Sequence, residues 1–480
     1  MDMIIDFFVW PDVTFPVTFL ILASALFQDT LYAVLIAIAG VTLMRRRFEP
    51  NAHRLMRRIG QAAPRVSILA PAYNEAETVV DCTRALLRQN HSNYEVIVIN
   101  DGSGDDTLNR LVRAFDLKPA ERECSDRLDF APVHAVYHRP GPVPLWVIDK
   151  ANGGKADALN AGIAHASGSL FCAIDADSLL EADALIRTSQ PFLDNPDTAA
   201  VAGTVRVANG CRLREGAVEE AGLPRRFLPL VQSLEYLRAF LVARFALSEL
   251  GALMIVSGAF GMFDRARVVE VGGYDPRTVG EDAELIVRLH RDGRDSDRPT
   301  VVRFIPEPVC WTQVPERLSD LAGQRRRWQR GALETLWRHR DAALRPGYGL
   351  PGTLGLGSMI VIDVVGPCLE VLGYVLALLL AVTGQISWTW FAALFALVCS
   401  FGFLLSASAI LLQEIELRRT ASLKAIGQLL FAAAIENFGY RQLSNIWRFA
   451  GTIDFLKGRK HWGQIKRSAF DTTDAPVNPC

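Results

Sequence analysis

The residues with the most chemical content are acidic and come in a fixed order: Asp101, then Asp175-Ala176-Asp177, then Glu281-Asp282, followed by Gln324-Arg325-Arg326-Arg327-Trp328. Two carboxylates one residue apart suit a hard divalent cation, which takes oxygen ligands and keeps coordination sites open for substrate phosphates. The later carboxylate is then available for a separate task, removing the proton of a hydroxyl nucleophile. Ala151-Asn152-Gly153-Gly154-Lys155 fits the same chemistry. Its glycines let backbone amides approach an anion at a helix start, and Lys155 adds the neutralising charge. The run is not a P-loop, because Ala156 stands where that motif places its metal-binding hydroxyl. Each motif alone also has a bland counterpart. Asp101-Gly102-Ser103-Gly104 is an ordinary turn sequence, an acid such as Asp282 favours the first turn of any helix, and an arginine run is often a solvated face.

The elements that must carry these groups are legible from the apolar pattern. Residues 66–71, 95–100, 170–174 and 199–207 read as strands, and residues 75–89, 155–165 and 179–192 as helices. Short β-type runs alternating with helical stretches indicate a mainly parallel α/β sheet. Asp101 and Asp175 each end a strand, so both belong at the crevice beyond the carboxyl edge of the sheet.

Taken together, Pro71-Ala72-Tyr73-Asn74-Glu75, Asn100-Asp101-Gly102-Ser103, Gly154-Lys155-Ala156, Asp175-Ala176-Asp177, Ser257-Gly258, Glu281-Asp282 and Gln324-x-x-Arg327-Trp328 resemble the motif series of processive, membrane-embedded family-two glycosyltransferases. Cellulose, chitin, hyaluronan and poly-N-acetylglucosamine synthases belong to that group. The resemblance covers roughly residues 64 to 340. It implies a GT-A nucleotide-sugar transferase domain, a Rossmann-like mixed α/β sheet inserted between transmembrane helices. By the same resemblance Tyr73, Glu75 and Asp101 line the uridine site, and Lys155 contacts the nucleotide or diphosphate. Asp177 ligates Mg2+ or Mn2+, with Asp175 on the ribose or metal side. Asp282 is the general base, and Ser257 and Gly258 sit near the acceptor sugar. Gln324, Arg327 and Trp328 hold diphosphate and acceptor at a channel entrance. Gly280 departs from the pattern, since the family more often has Thr before Glu-Asp.

Composition agrees with a soluble domain joined to membrane segments. The 480 residues are 50% hydrophobic yet 21% charged, with mean hydropathy +0.17 and a formal charge of -1 that does not suggest nucleic acid as a partner. The eight cysteines are scattered, a distribution that suits reduced thiols better than a zinc site or disulfide framework. Residues 15–44 form a long apolar core followed by Arg45, Arg46, Arg47, Arg54, Arg57 and Arg58. That is the reverse of a cleavable signal peptide, and it places the following domain in the cytoplasm. One or two N-terminal spans are compatible with this segment. Residues 354–383 and 388–412 read as two more spans.

Asp363 and Glu370 share one face of the first of these spans, and Asn437, Arg441, Asn445 and Arg448 form a second polar stripe. Charges at membrane depth turn toward protein or water, so the acidic stripe is a candidate channel wall, the alternative being an interfacial stretch at the start of the helix. The segment 423–450 either spans or lies in the interface. Amphipathic helices at residues 227–250 and 316–340 are expected at the bilayer surface.

The expected organisation is a membrane region over 1–45, a cytoplasmic GT-A domain over 46–314, an interface segment over 315–350, a membrane channel region over 351–456 and a basic tail over 457–480. The expected protein is an inverting, metal-dependent enzyme of the inner (plasma) membrane. It moves a sugar from a UDP-sugar donor to a polysaccharide acceptor and passes the polymer through its own helices. Accessory export or regulatory proteins would supply any regulation. A non-processive transferase acting on a lipid-linked acceptor shares the donor motifs. A non-catalytic membrane scaffold or transporter shares only the apolar segments.

Overall fold

The computed structural model describes residues 11–46, 63–175, 178–214, 217–385, 388–417 and 422–459. The chain enters through a single helix, α1 (Pro11–Arg46); residues 3–10, where a second N-terminal span could begin, lie outside the described residues. The strands that follow are β1 (Val66–Ala72), β2 (Tyr94–Asp101), β3 (Lys118–Pro119), β4 (Val133–Arg139), β5 (Leu145–Lys150), β6 (Leu170–Ile174), β7 (Leu179–Leu180), β8 (Thr198–Val207), β9 (Arg212–Arg214), β10 (Ala217–Glu220), β11 (Phe260–Asp264) and β12 (Val301–Thr312). Apart from the β9–β10 hairpin they form one sheet in the order β3-β4-β5-β2-β1-β6-β11-β8-β12-β7.

Strands β5, β2, β1 and β6 run parallel, while β11 runs antiparallel between β6 and β8. The sheet is therefore mixed, as the sequence resemblance implies. Its centre is apolar on both faces, as in Tyr94–Asp101, which is buried along its whole length, because a strand covered on both sides has no solvent face to make polar. Parallel register brings Ala72 beside Asn100 and Asp101 beside Lys150. The ends of β1, β2, β5 and β6 thus share one edge, where the chemistry gathers.

Two expected helices are shorter. Residues 75–78 do not continue α2 (Val79–Leu86). Asn74 adopts a left-handed φ of 56°, and its side chain accepts from the Gly104 amide at 2.8 Å while Ser103 Oγ accepts from Asn74 N–H at 3.0 Å. Asparagine tolerates this conformation better than most residues, and here it stitches the loop after β1 to the loop after β2. α3 (Lys155–His165) has the expected bounds. Residues 179–180 are strand, paired with Cys310 and Trp311, so α4 begins later (Ala184–Asp194).

Further helices follow in the order α5 (Phe227–Leu237), α6 (Glu281–Asp295), α7 (Leu318–Arg338), α8 (Pro351–Val382), α9 (Trp388–Leu417), α10 (Leu423–Ile435) and α11 (Tyr440–Leu456). Three stretches, Ala23–Arg45, Pro351–Val382 and Phe391–Glu414, are long and apolar enough to cross a membrane. The segment 423–450 is two helices, parted at Gly439, whose φ is 95°.

Ion pairs join the sheet domain to these helices. Arg325 of α7 pairs with Glu235 of α5 and donates to Tyr440 of α11. Arg326 reaches Asp454, and Arg238 reaches Glu436 and Ser406. The acidic and basic membrane stripes face one another: Asp363 pairs with Arg448 at 2.7 Å, and Glu370 with Arg441 at 2.8 Å and Asn445 at 2.6 Å. Buried charges require such partners.

The start of α6 rests directly on α7. A Cβ on Gly280 would lie 2.9 Å from Gly331 Cα and carbonyl oxygen, and one on Gly331 would lie 2.9 Å from Gly280 Cα. Both collisions are with backbone, so neither helix can yield by a rotamer change. The threonine usual in the resembling family would not fit here without parting the helices. Gly280→Thr and Gly331→Val should each cost about 1 to 3 kcal/mol, the usual penalty of overpacking, and should lower activity by displacing Asp282. Thermal unfolding in detergent and turnover check both; wild-type values for either variant would show that the contact is slack.

Candidate active site

Lys155 is the hub. As the first residue of α3 it reaches back across the sheet edge, and its ammonium lies 2.5 Å from Asp175 at the end of β6 and 3.9 Å from Glu281 at the start of α6. It also donates to the Gly258 carbonyl at 3.0 Å. Asp282 is close enough to add to the same field. These carboxylates drive the lysine pKa well above its usual value despite burial. A side chain on Gly258 would come within 2.8 Å of Lys155 Nζ and 3.6 Å of Asp282 Oδ2. A side chain there would push the Lys155 ammonium aside, since lysine and acid meet over the Gly258 backbone.

Asp282 is fixed at the helix N-terminus. The Gly258 amide donates to Oδ2 at 3.0 Å and the Ala283 amide to Oδ1 at 2.9 Å. Its neighbour Glu281 is pushed from 4.5 up to about 7, first by burial, with Asp282 and Asp175 also raising it against the pull of Lys155. One ammonium therefore faces a surplus of negative charge. That surplus, with oxygen ligands at a strand end, fits an additional divalent cation. Asp175 is available for it, while Asp177 lies outside the described residues. Among the described residues no group of three or more His, Cys, Asp or Glu side chains forms a ready metal cage.

A second buried cation organises the adjoining loop. Lys150 is 0% exposed and bridges Asp101 at 2.6 Å and Asp157 at 2.5 Å. The Gly153 and Gly154 amides donate to the Asp101 carboxylate at 3.0 and 2.8 Å. Gly154 has φ 89°, a conformation that glycine adopts without strain. The anion at this helix start is therefore Asp101 itself. Beside it, Tyr73 is 48% exposed and Glu75 accepts from Thr78 Oγ1 at 2.9 Å.

Lys155, Asp175, Ser257, Gly258, Glu281, Asp282, Gln324, Arg327 and Trp328 all line one cavity of about 1660 Å³, whereas Tyr73, Glu75 and Asp101 lie off its wall. The cavity continues past Arg244 to Asp363, Ser444 and Arg448 of the membrane helices. Gln324 is buried with an unpartnered Oε1. Trp328 is 45% exposed, with the Arg325 guanidinium 4.6 Å from its ring.

Residues 64–331 match the family described as "Glycosyltransferase like family 2". The chain belongs to this family. The glycosyltransferase is 29% identical over 288 residues to the poly-beta-1,6-N-acetyl-D-glucosamine synthase of Staphylococcus epidermidis, a match covering 60% of this chain and 59% of that protein. It is 29% identical over 273 residues to the Staphylococcus aureus (strain COL) protein of the same name, over 57% of this chain and 56% of that one. The chain thus spans between half and two thirds of these relatives. Its fold is similar to the solved structure of a Pyrobaculum calidifontis mannosyltransferase in complex with GDP-Man and Mn2+, with TM-score 0.52 and 17% identity over 92% of this chain and 100% of that one. That similarity concerns the fold.

Sequence reasoning about this glycosyltransferase passed over Lys150, Asp157, Arg244 and Arg325 as individual contributors. Lys150 ends a strand and precedes the glycine loop, which was a usable signal; its partner Asp157 becomes visible only when α3 folds back.

The raised Glu281 pKa has a calculable consequence. Between about pH 4.5 and 7 the folded protein holds a proton that the unfolded chain releases, so raising the pH through this window costs stability. Glu281→Gln should remove that decline in ligand-free protein. Melting temperatures from pH 5 to 8 check it: wild type should fall relative to the variant, and parallel curves would contradict the assignment. Lys150→Met, which strands two buried acids, should destabilise by about 3 to 5 kcal/mol, measured by denaturant unfolding in detergent.

Proposed function

We propose that this glycosyltransferase adds N-acetylglucosamine from UDP-N-acetylglucosamine, with inversion, to a growing β-linked polysaccharide, and feeds the product between its own membrane helices. The observation that carries this reading is the cavity continuous from Asp282 to the paired stripes of α8 and α11. A transferase acting on a lipid-linked acceptor has no comparable need for a polar passage between α8 and α11. The relatives' names supply the sugar and the β linkage. The polymerisation, like the donor, is our reading for the whole protein. We place it in the inner membrane, with α1, α8 and α9 spanning and the catalytic domain in the cytoplasm.

In this reading Tyr73 offers an exposed ring to the uracil base, Glu75 lies beside it, and Asp101 acts by fixing the Asn152–Gly154 turn. Asp175 and Asp177 hold Mg2+ or Mn2+, which offsets charge on the diphosphate when bound. Lys155 and Arg327 add positive charge on the same side. Ser257 and Gly258 border the acceptor, whose terminal hydroxyl gives its proton to Asp282 as its oxygen attacks the anomeric carbon. The C–O bond to the diphosphate breaks on the opposite face, so an α-linked donor gives a β-linked product. Gln324 presents its free carbonyl oxygen, and Trp328 its ring, to the sugar entering the passage.

Asp282→Asn should keep UDP binding and lose about 2 to 4 orders of magnitude in transfer, the span of general-base catalysis; near-normal turnover of a folded variant would remove Asp282 from the role. Rigorous chelation should abolish transfer, and Mg2+ or Mn2+ should restore it. Trp328→Ala should shorten or abolish the polymer while sparing UDP affinity. Product length and UDP binding, measured in one detergent preparation, check this. A wild-type product limited to one added sugar would favour the lipid-linked acceptor.

A further inference from the structure

Arg244 is the cation that the proposed chemistry leaves unused. It closes a π-helical segment, Arg238–Arg244, on the wall of the cavity. Its Nη1 is buried without a hydrogen-bond partner, although its guanidinium is held 4.0 Å from the Phe240 ring. The carboxylates whose charge reaches it are Asp282 and, more weakly, Asp363. Neither of these completes its hydrogen bonding. Both Asp282 oxygens accept backbone amides, and Asp363 is paired with Arg448. An unsatisfied donor on a buried cation is costly, and on the wall of a cavity it is open to completion by whatever fills that cavity.

Its position decides which ligand. The donor's phosphate side is marked by Lys155 and Asp175 at the sheet edge. Arg244 approaches from the interfacial helix instead, between the base Asp282 and the first charged residue of the membrane passage, Asp363. The facing wall, Met359–Val365, is π-helical too. Widened turns of this kind recur at functional sites, where they re-aim side chains. The space between adjoins Asp282, where the sugar bearing the reacting hydroxyl would lie in the proposed reading.

Resting on the polymerase reading above, we infer that Arg244 is an acceptor-binding residue. Its free guanidinium edge donates to a hydroxyl or amide carbonyl oxygen of the terminal sugar of the growing chain and sets the attacking hydroxyl against Asp282. Phe240 keeps the guanidinium plane oriented, so little side-chain freedom is lost when the sugar arrives. A planar multi-donor fork does this better than the single point charge of a lysine.

Three proteins test it in detergent: wild type, Arg244→Met, which keeps an apolar stem against Phe240, and Arg244→Lys. Calorimetric titration with a β-1,6-linked N-acetylglucosamine pentasaccharide, and separately with UDP, measures the two affinities directly. Arg244→Met should weaken the oligosaccharide about tenfold or more, the loss expected for a charge-assisted hydrogen bond, and change UDP affinity by less than about twofold. Arg244→Lys should fall between. The ratio of UDP-sugar hydrolysis to transfer should rise in both variants. The melting temperature of Arg244→Met should match or exceed wild type, because a buried unpartnered charge has been removed; a structural arginine would show the reverse. Equal oligosaccharide affinity in all three, no oligosaccharide binding by any of them, or a parallel loss of UDP affinity would overturn the inference, the last by assigning Arg244 to the diphosphate. A wild type that binds the oligosaccharide yet never elongates it would sink the polymerase reading and leave the Arg244 comparison intact.

Discussion

The site depends on one cation serving carboxylates from three separate parts of the chain. Lys155 stands at the start of α3, Asp175 at the end of β6, and Glu281 and Asp282 at the start of α6. Without the ammonium these acids would repel one another across the cleft. With it they are gathered around a single ammonium, and Glu281 is pushed up to about 7, first by burial and then by Asp282 and Asp175. The cleft therefore carries an excess of acid that a dication would offset. In the proposed reading, a diphosphate arriving with that ion would bring its own negative charge to the same place, which would make metal and donor binding mutually dependent.

The second constraint is steric and joins chemistry to membrane. Because Gly280 and Gly331 meet backbone to backbone, the position of Asp282 is set by α7, which is tied to α5 and α11 by Arg325, Arg326 and their acidic partners. A shift of α11 against α7 would be felt at the base within one turn of helix. Ordinary side-chain packing would absorb part of such a movement; a glycine-to-glycine contact has no rotamer with which to do so. In the proposed reading this contact is what couples a polymer lying between α8 and α11 to the chemistry at Asp282.

How much of this was legible in the sequence follows from the range of each interaction. The strands and α3 were readable because apolar continuity and the Gly-Gly-Lys helix start are local signals. Residues 179–180 were misread as helix because Leu179 and Leu180 acquire their strand character from Cys310 and Trp311, far away in sequence. The two polar stripes were each visible; that they pair, Asp363 with Arg448 and Glu370 with Arg441, depends on how α8 and α11 cross. Asp101 was recognised as important, but its type could not reveal that Lys150 and two loop amides already occupy its carboxylate. Arg244 carried no motif at all.

That contrast separates two kinds of buried charge in this glycosyltransferase. Lys150, Arg238 and Arg325 are enclosed with carboxylates, so their burial is compensated within the fold and their loss would be felt as instability. Lys155 and Arg244 line the cavity, one facing surplus acid and the other keeping an unpartnered donor. Folding alone gives no reason to leave such groups incompletely matched. Substrate does, since a site already satisfied would gain nothing on binding, while a site with fixed, unmet charge and hydrogen-bonding capacity gains on binding what it forgoes in the empty state. In the proposed reading the imbalance at the two ends of the cavity has opposite signs for a reason: surplus acid beside Lys155 would take a cation and its diphosphate, and the spare guanidinium donor of Arg244 would take the neutral oxygens of a sugar.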